Sequence, residues 1–401
     1  MTRKLCPPSL DRRRFLGLAG AAILAPGSLL ALPAKKKKTA AKAAAAASDG
    51  IPAARRRMIQ MNGYPLDAET PLDALTTYLT PNDLFFVRHH WIPQYPSRKG
   101  WSLTVDGEVE KTLRVSLEDL RRMPRTSVTC VLQCAGNGRG LFSPTLPGVQ
   151  WRYGAVGNAR WTGVRVKDLL DRAGIKAGAL HLQSFGSDKP PVKTPPFHRS
   201  VELEKILADG IVADEMNGQP LPDLHGGPAR LVVPGWAGDH WMKWIERLSV
   251  SAEPQKGFYM DTAYKYPKEP GAPGAMIPAA EMRSVTELFV KSCITEAPAS
   301  ARPGAPVRIA GFAFSGAPDV AKVEVTDDGG ATWRNADLDP QHEPWAWRLW
   351  SFRWTPSVPG PHTIWVRATD SRGAVQPKEA VWNPSGYLHN GWHSASVEVA
   401  A

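Results

Sequence analysis

Cys134 ends an apolar, β-branched run, Thr126 to Gln133, and leads into Ala135-Gly136-Asn137-Gly138-Arg139-Gly140. A thiol at the mouth of a strand, beside three glycines and an arginine, is a soft ligand on a loop that a bulky anionic cofactor could approach closely. The same residues also suit a buried cysteine before a turn, because free cysteine is among the most buried residue types. Phe85-Phe86-Val87-Arg88-His89-His90 places a cation and two imidazoles after an aromatic pair. Period-two alternation sends Arg88 and His90 to one side and His89 to the other, and a solvated strand end is the plainer reading. His225-Gly226-Gly227-Pro228-Ala229-Arg230 frames a tight turn ahead of the apolar Leu231-Val232-Val233. That placement suits phosphate or ring heteroatoms, or simply the capping of a strand. Gly238-Asp239-His240-Trp241-Met242-Lys243-Trp244 is dense in aromatics and reads either as a binding surface or as core tryptophans with Lys243 reaching solvent. Tyr264 is uninformative by itself.

These residues need a scaffold, and the chain supplies two patterns. From 51 to 266 short apolar runs alternate with turns and a few helical stretches, which predicts a mixed α+β domain. Helices are expected at Ser116 to Arg122 and at Val166 to Ala173, the latter ending on Gly174. Strands are expected at Trp101 to Val105, Ser127 to Gln133, Leu180 to Ser184 and Arg230 to Val233. Proline clusters in 267–280 and reads as a linker. From 281 to 401, period-two segments at Pro306 to Phe314, Val320 to Thr326, Trp347 to Trp354 and His362 to Ala368 predict a β-sandwich.

With 401 residues and 43% hydrophobic content the chain is long enough for two or three domains and a sizeable core. Its net charge of +11 is concentrated at the start, since ten Lys/Arg against two Asp/Glu fall in the first fifty residues and leave +3 for the rest. So small a surplus does not indicate nucleic-acid binding, though it permits a pocket for a small anion. Arg12-Arg13-Arg14-Phe15-Leu16 followed by the interrupted apolar stretch to Leu32 predicts a twin-arginine export signal over 1–34, with a Lys/Ala-rich spacer over 35–50. A basic amphipathic tail is the alternative. Export by that route places the protein in the periplasm and hints at a cofactor inserted before export. Cys130, Cys134 and Cys293 are then an odd set of thiols with no disulfide framework, and the Cys130/Cys134 spacing lacks the second pair that a structural zinc site needs. No CxxCH motif occurs, so covalent haem is not expected in this chain.

Taken together, LQCAGN at Leu132 to Asn137, FFVRHH, MNGQPLP at Met216 to Pro222, HGGPAR and GDHWMKW resemble, in the same order, the motifs of the sulfite oxidase family of molybdenum enzymes. The resemblance covers most of residues 80 to 400. It implies an α+β molybdopterin domain followed by an immunoglobulin-like dimerisation domain. It also implies Cys134 as the thiolate ligand to molybdenum, Arg88 and Arg139 lining the anion pocket, and Tyr264 as the active-site tyrosine. His90, Asp188, His225, Arg230 and Lys243 match positions that hold the pterin and its phosphate. The activity implied is oxidation of sulfite to sulfate, with a separate periplasmic c-type cytochrome as acceptor and a homodimer as assembly. Ala263 and Ser385 depart from the family's pattern, which has an acid before the tyrosine and a third arginine near the last strand. Trp241 stands where a small polar residue often contacts the pterin. These departures bear on substrate more than on cofactor. A related molybdenum reductase acting on sulfoxides is the rival within the enzymes, although neutral sulfoxides need no paired arginines. A secreted binding protein in which LQCAGN is only core is the rival outside them.

Overall fold

The apolar run Thr126–Gln133 pairs antiparallel with Val156–Arg165, and its second half, Thr129 to Gln133, is buried throughout. A strand with no exposed face there must be covered on both sides. The computed structural model that shows this describes residues 57–190 and 193–401, so the export motif and the Lys/Ala-rich spacer lie outside the described residues. Ile211–Met216 extends the same sheet on the far side of Val156–Arg165, with Gln219–Pro220 and Arg230–Val232 both paired to it. A second five-stranded sheet runs in the order Leu113–Ser116, Ser102–Gly107, Ile245–Ser251, His181–Gly186, His198–Glu202. Only its Ser102–Gly107 and Ile245–Ser251 pair is parallel.

Helices are short and locally specified. Leu117–Arg122 starts from a reciprocal cap, in which Ser116 Oγ accepts from Asp119 N–H and the Asp119 carboxylate accepts from Ser116 N–H. Ser116 is therefore the cap and not the first helical residue. Val166–Ala173 buries Val166, Leu169, Leu170 and Ala173, one stripe at helical spacing, and stops at Gly174 with φ +73°. The expected strands form to within two residues at the ends compared. No described helix is long and apolar enough to cross a membrane.

Beyond residue 284 the chain makes two packed sheets. One has the order Lys291–Glu296, Val307–Phe314, Arg348–Trp354, Asp337–Leu338, and the other Ser300–Ala301, His393–Val399, Gly360–Asp370, Val320–Thr326, Arg334–Asn335. Trp350, Phe352 and Trp354 alternate inward and meet Ile309, Val323, Ile364 and Val397 in a core of their own. The Pro-rich stretch does not leave two separate bodies. Lys265–Pro267 pairs with Met282–Ser284 across it. Phe312, Phe314, Trp347, Tyr387 and Leu388 join the core that contains Trp161 and Trp241. Leu388 N–H also donates to Ala135 O and Val131 N–H to Trp345 O, so the second half props the Cys134 strand and loop directly.

Candidate active site

The loop after Thr126–Gln133 is held open by its own side chains. Asn137, 1% exposed, donates to Gln133 Oε1 at 3.1 Å and accepts from Ala155 N–H at 3.1 Å, tying both ends of the turn. Gly138 sits at φ +92°, and a Cβ there would meet the His389 side chain at 2.5 Å. The result leaves Cys134 half-buried on the wall of a cleft that Arg88, His90, Arg230 and Tyr264 also line. Four residues earlier Cys130 is 0% exposed and burial pushes its thiol pKa strongly up. Burial raises Cys134 as well, while the nearby charges of Arg88 and Arg139 act to lower it.

Arg88, His89 and His90 all line this cleft. The alternation expected of them fails because Val87 makes only an isolated bridge to Ala68, and the backbone after it is irregular. Arg88 pairs with Asp67 at 3.3 Å. Burial would lower its pKa, but the neighbouring Asp67 opposes that and the guanidinium stays charged. His90 stacks on Phe197 with centroids 4.2 Å apart and shares a 2.8 Å hydrogen bond with the Tyr264 hydroxyl. Burial holds His90 well below the usual imidazole range and Tyr264 well above the usual phenol range, so both are neutral near pH 7.

The second group of side chains comes from the HGGPAR turn and the short helical turn Gly238–His240. Arg230 donates to His225 O at 2.8 Å and Trp241 O at 3.1 Å, and its guanidinium lies 5.0 and 5.6 Å from the Trp161 and Trp241 ring centroids. Burial brings it down to about 9, still cationic at neutral pH. His225 Nε2–H donates to Asn82 O at 3.0 Å, and burial lowers this histidine to about 3. Lys243 donates to Arg88 O at 2.9 Å and lies 4.2 Å from the Trp244 ring centroid. Asp188 lines the cleft close to Gly186, and burial raises its carboxyl against the opposing charge of Lys243.

Eight of the nine residues expected from sequence thus line one cleft: Cys134, Arg88, Tyr264, His90, Asp188, His225, Arg230 and Lys243. Arg139 does not line it. Its Nε donates to Ser385 O at 2.8 Å and its Nη1 to Val149 O at 3.1 Å, with the guanidinium 5.2 Å from the Tyr387 ring centroid. Carbonyls and an aromatic face hold it behind the loop, where a Cβ on Gly136 would meet it at 2.7 Å. Tyr387 in turn stacks on Tyr264 at 5.2 Å and 15°. Sequence reading missed His89, Asp239 and Phe197 on the wall. Asp239 lay inside a motif already singled out, and only its burial marks it.

The cleft suits an anionic heterocyclic cofactor with a phosphate. Arg88 and Arg230 supply cations, and the Lys243 amine, whose pKa burial pushes well down, adds a donor. His89 Nδ1 and Arg230 Nε are buried without partners among the described residues. Unmet donors and acceptors around a preformed space are what a polar ligand satisfies.

Residues 89–259 match the family model described as "Oxidoreductase molybdopterin binding domain" and residues 282–400 the one described as "Mo-co oxidoreductase dimerisation domain". Mouse mitochondrial sulfite oxidase is 36% identical over 84% of this chain and 64% of its own length, so the chain spans somewhat under two thirds of that relative. Arabidopsis thaliana sulfite oxidase is 34% identical over 84% of this chain and 92% of its own. Among solved structures, the sulfane dehydrogenase SoxCD of Paracoccus pantotrophus is similar with TM-score 0.76 and 28% identity, covering 92% of this chain and 93% of that one.

Proposed function

The chain belongs to the sulfite oxidase family of molybdopterin-dependent oxidoreductases, and on that footing we propose that it oxidises sulfite to sulfate in the periplasm, passing electrons to a separate c-type cytochrome. The carrying observation is that Arg88 and Cys134 share one wall of one cleft, so an anion and a soft metal ligand meet there. Cys134 would hold molybdenum through its thiolate. Arg230, His225, His90, Lys243 and Asp188 would hold the pterin and its phosphate. When bound, the cofactor supplies two-electron exchange and oxygen-atom transfer, chemistry that no side chain here provides.

The chain's own residues do the rest. Arg88, held by Asp67, draws in a small sulfur oxyanion and fixes its orientation. Tyr264, neutral and hydrogen-bonded to His90, presents a hydroxyl to the same space. Trp241, Phe197 and Trp244 form apolar wall and limit water. Arg139 braces the Cys134 loop from behind. The first fifty residues act as the export signal and spacer, and the second half makes a homodimer.

Expression of the full chain with its export signal, followed by molybdenum and pterin analysis, tests this together with sulfite-dependent reduction of cytochrome c or ferricyanide. Sulfite turnover is expected, with no comparable turnover of methionine sulfoxide. Loaded protein inert toward sulfite would end the reading. One observation favours a second substrate class: with Arg139 behind the loop and Ser385 in place of an arginine, the cleft carries less cationic wall for a dianion. A reduced sulfur compound of lower charge, such as thiosulfate, belongs in the same assay, and faster turnover of it than of sulfite would shift the assignment.

A further inference from the structure

Beneath Tyr264 lies a buried polar trio, Arg199, Asp239 and His240. Arg199, 0% exposed, comes from the His198–Glu202 strand. It donates from Nη2 to Asp239 Oδ2 at 2.7 Å, from Nη1 to Tyr259 O, and faces the Tyr264 ring with its guanidinium 5.3 Å from the centroid. His240 Nε2 lies 2.8 Å from Arg199 Nη2, 2.8 Å from Val285 O and 3.5 Å from Asp239 Oδ2. Asp239 itself lines the cleft, is 5% exposed, and has its other oxygen, Oδ1, buried without a partner among the described residues.

A carboxylate half paired and half unpaired is an expensive thing to bury, since an unmet charged acceptor costs more than a neutral one. It is explicable if Oδ1 has a task. Resting on the proposed oxidation of sulfite, the proton count names one. Sulfite and one water give sulfate, two protons and two electrons, and the electrons go to the external acceptor. Something in a largely closed site must take a proton as the water is consumed. His90 and Tyr264 are poor choices, because burial keeps the first unprotonated and the second protonated. Arg88 and Arg230 are already charged.

We propose that Asp239 is the proton acceptor of the site, taking one of the two protons on Oδ1 while the other goes to water, and releasing it to solvent before the next turnover. Arg199 is then a positioning residue that holds the carboxylate through Oδ2 and leaves Oδ1 unpaired. Burial raises Asp239 to about 7 against the lowering charge of Arg199, which matches a group that must gain and lose a proton near neutrality. The groups facing it are Arg199, His240, Tyr264 and Tyr387. The last three are neutral, so Arg199 is the one charge among them opposing a rise. An anion bound nearby would raise the carboxyl further and make it a better acceptor.

Asp239→Asn keeps an acceptor for Arg199 but cannot take the proton. The expected result is a loss of at least about tenfold in kcat with molybdenum and pterin content retained. The wild-type kcat should fall on the acid side through a single ionisation above 7, where the bound anion moves the carboxyl, and the variant should lose that limb. Free sulfite titrates in a similar range, so kcat, which reports the enzyme–substrate complex, is the profile that decides. Asp239→Glu should recover part of the rate, and small carboxylic acids added to Asp239→Asn should restore some of it, which a merely structural role would not produce. Infrared titration of wild type against Asp239→Asn gives a readout independent of turnover: a carboxyl C=O band growing as pH falls through 7, absent in the variant. Should neither variant accumulate as folded protein, the wild-type enzyme still decides, because a kcat flat across that range contradicts the proposal. Sulfite turnover with an unchanged pH profile in Asp239→Asn overturns the proton role alone, whereas absence of sulfite turnover in loaded wild type overturns the function it rests on.

Discussion

The cleft and the interior of the sandwich are both removed from water, yet they are built on opposite rules. In the sandwich, Trp350, Phe352 and Trp354 alternate inward from one strand and meet apolar side chains from facing strands. Around the cleft the buried groups are Arg230, His225, Arg139 and Asp239, supplied mostly by loops and short turns, and Arg230 Nε and Asp239 Oδ1 have no partner among the described residues. A core that needs only closure can be written as alternation. A site that needs polar groups aimed at an empty space has to be written as turns braced from behind, with the second half of the chain as part of the brace.

The largest expected contrast tests that difference directly. Cys134→Ser should abolish sulfite oxidation while the melting temperature stays near wild type, because the hydroxyl is a poorer match for the metal and the site is half-buried. Cys130→Ser should do the reverse, costing roughly 1–3 kcal/mol in urea titration as a hydroxyl is buried in an apolar setting, with turnover per folded molecule retained. If the two phenotypes were exchanged, the assignment of the thiols would be wrong. Trp354→Ala should remove about 3–5 kcal/mol from the sandwich without touching the chemistry of the cleft, read from denaturation and from kcat on the folded fraction. Arg139→Met should lower kcat/KM by roughly 10–100-fold through a loosened Cys134 loop, with molybdenum content falling alongside. An effect confined to KM would instead return Arg139 to the anion pocket.

The remaining effect is confined to acid. His389 and His393 sit where the two halves meet, and burial lowers them to about 3 and about 4. Ile294 N–H donates to His393 Nδ1 at 3.2 Å, a bond that needs that nitrogen unprotonated. Because folded values lie below the ordinary 6.5, the unfolded chain binds protons first as pH falls. Their contribution is whole above 6.5 and is lost towards 4 for His393 and towards 3 for His389, by up to about 1.4 kcal/mol per pH unit for each histidine. Urea titrations at stepped pH should show that slope, and His393→Gln should flatten it.

Much of this was legible in the residues because elements with strong periodicity announce themselves. Val166–Ala173, Thr126–Gln133 and the sandwich strands carry their burial pattern in plain view. The placement of Cys134, Arg230 and Lys243 followed from motifs whose turn residues fix the backbone. What failed was side-chain direction in irregular backbone: His89 joins Arg88 and His90 at the cleft because the chain there is not a strand. Arg139 turned away for a reason written 246 residues downstream, in the carbonyl of Ser385 that accepts its Nε–H. Asp239 and Arg199 were invisible as a pair, since nothing in a sequence shows that two charged residues 40 apart are buried against each other.

The central claim is that this cleft, through Cys134, holds a molybdenum cofactor that oxidises sulfite. Metal and pterin analysis of the full-length wild-type protein, run beside sulfite-dependent reduction of cytochrome c, tests it most directly. The expected result is equimolar molybdenum and pterin per chain with sulfite-dependent reduction that disappears in Cys134→Ser. Wild-type protein free of molybdenum, or loaded protein whose Cys134→Ser variant turns over sulfite undiminished, would contradict it.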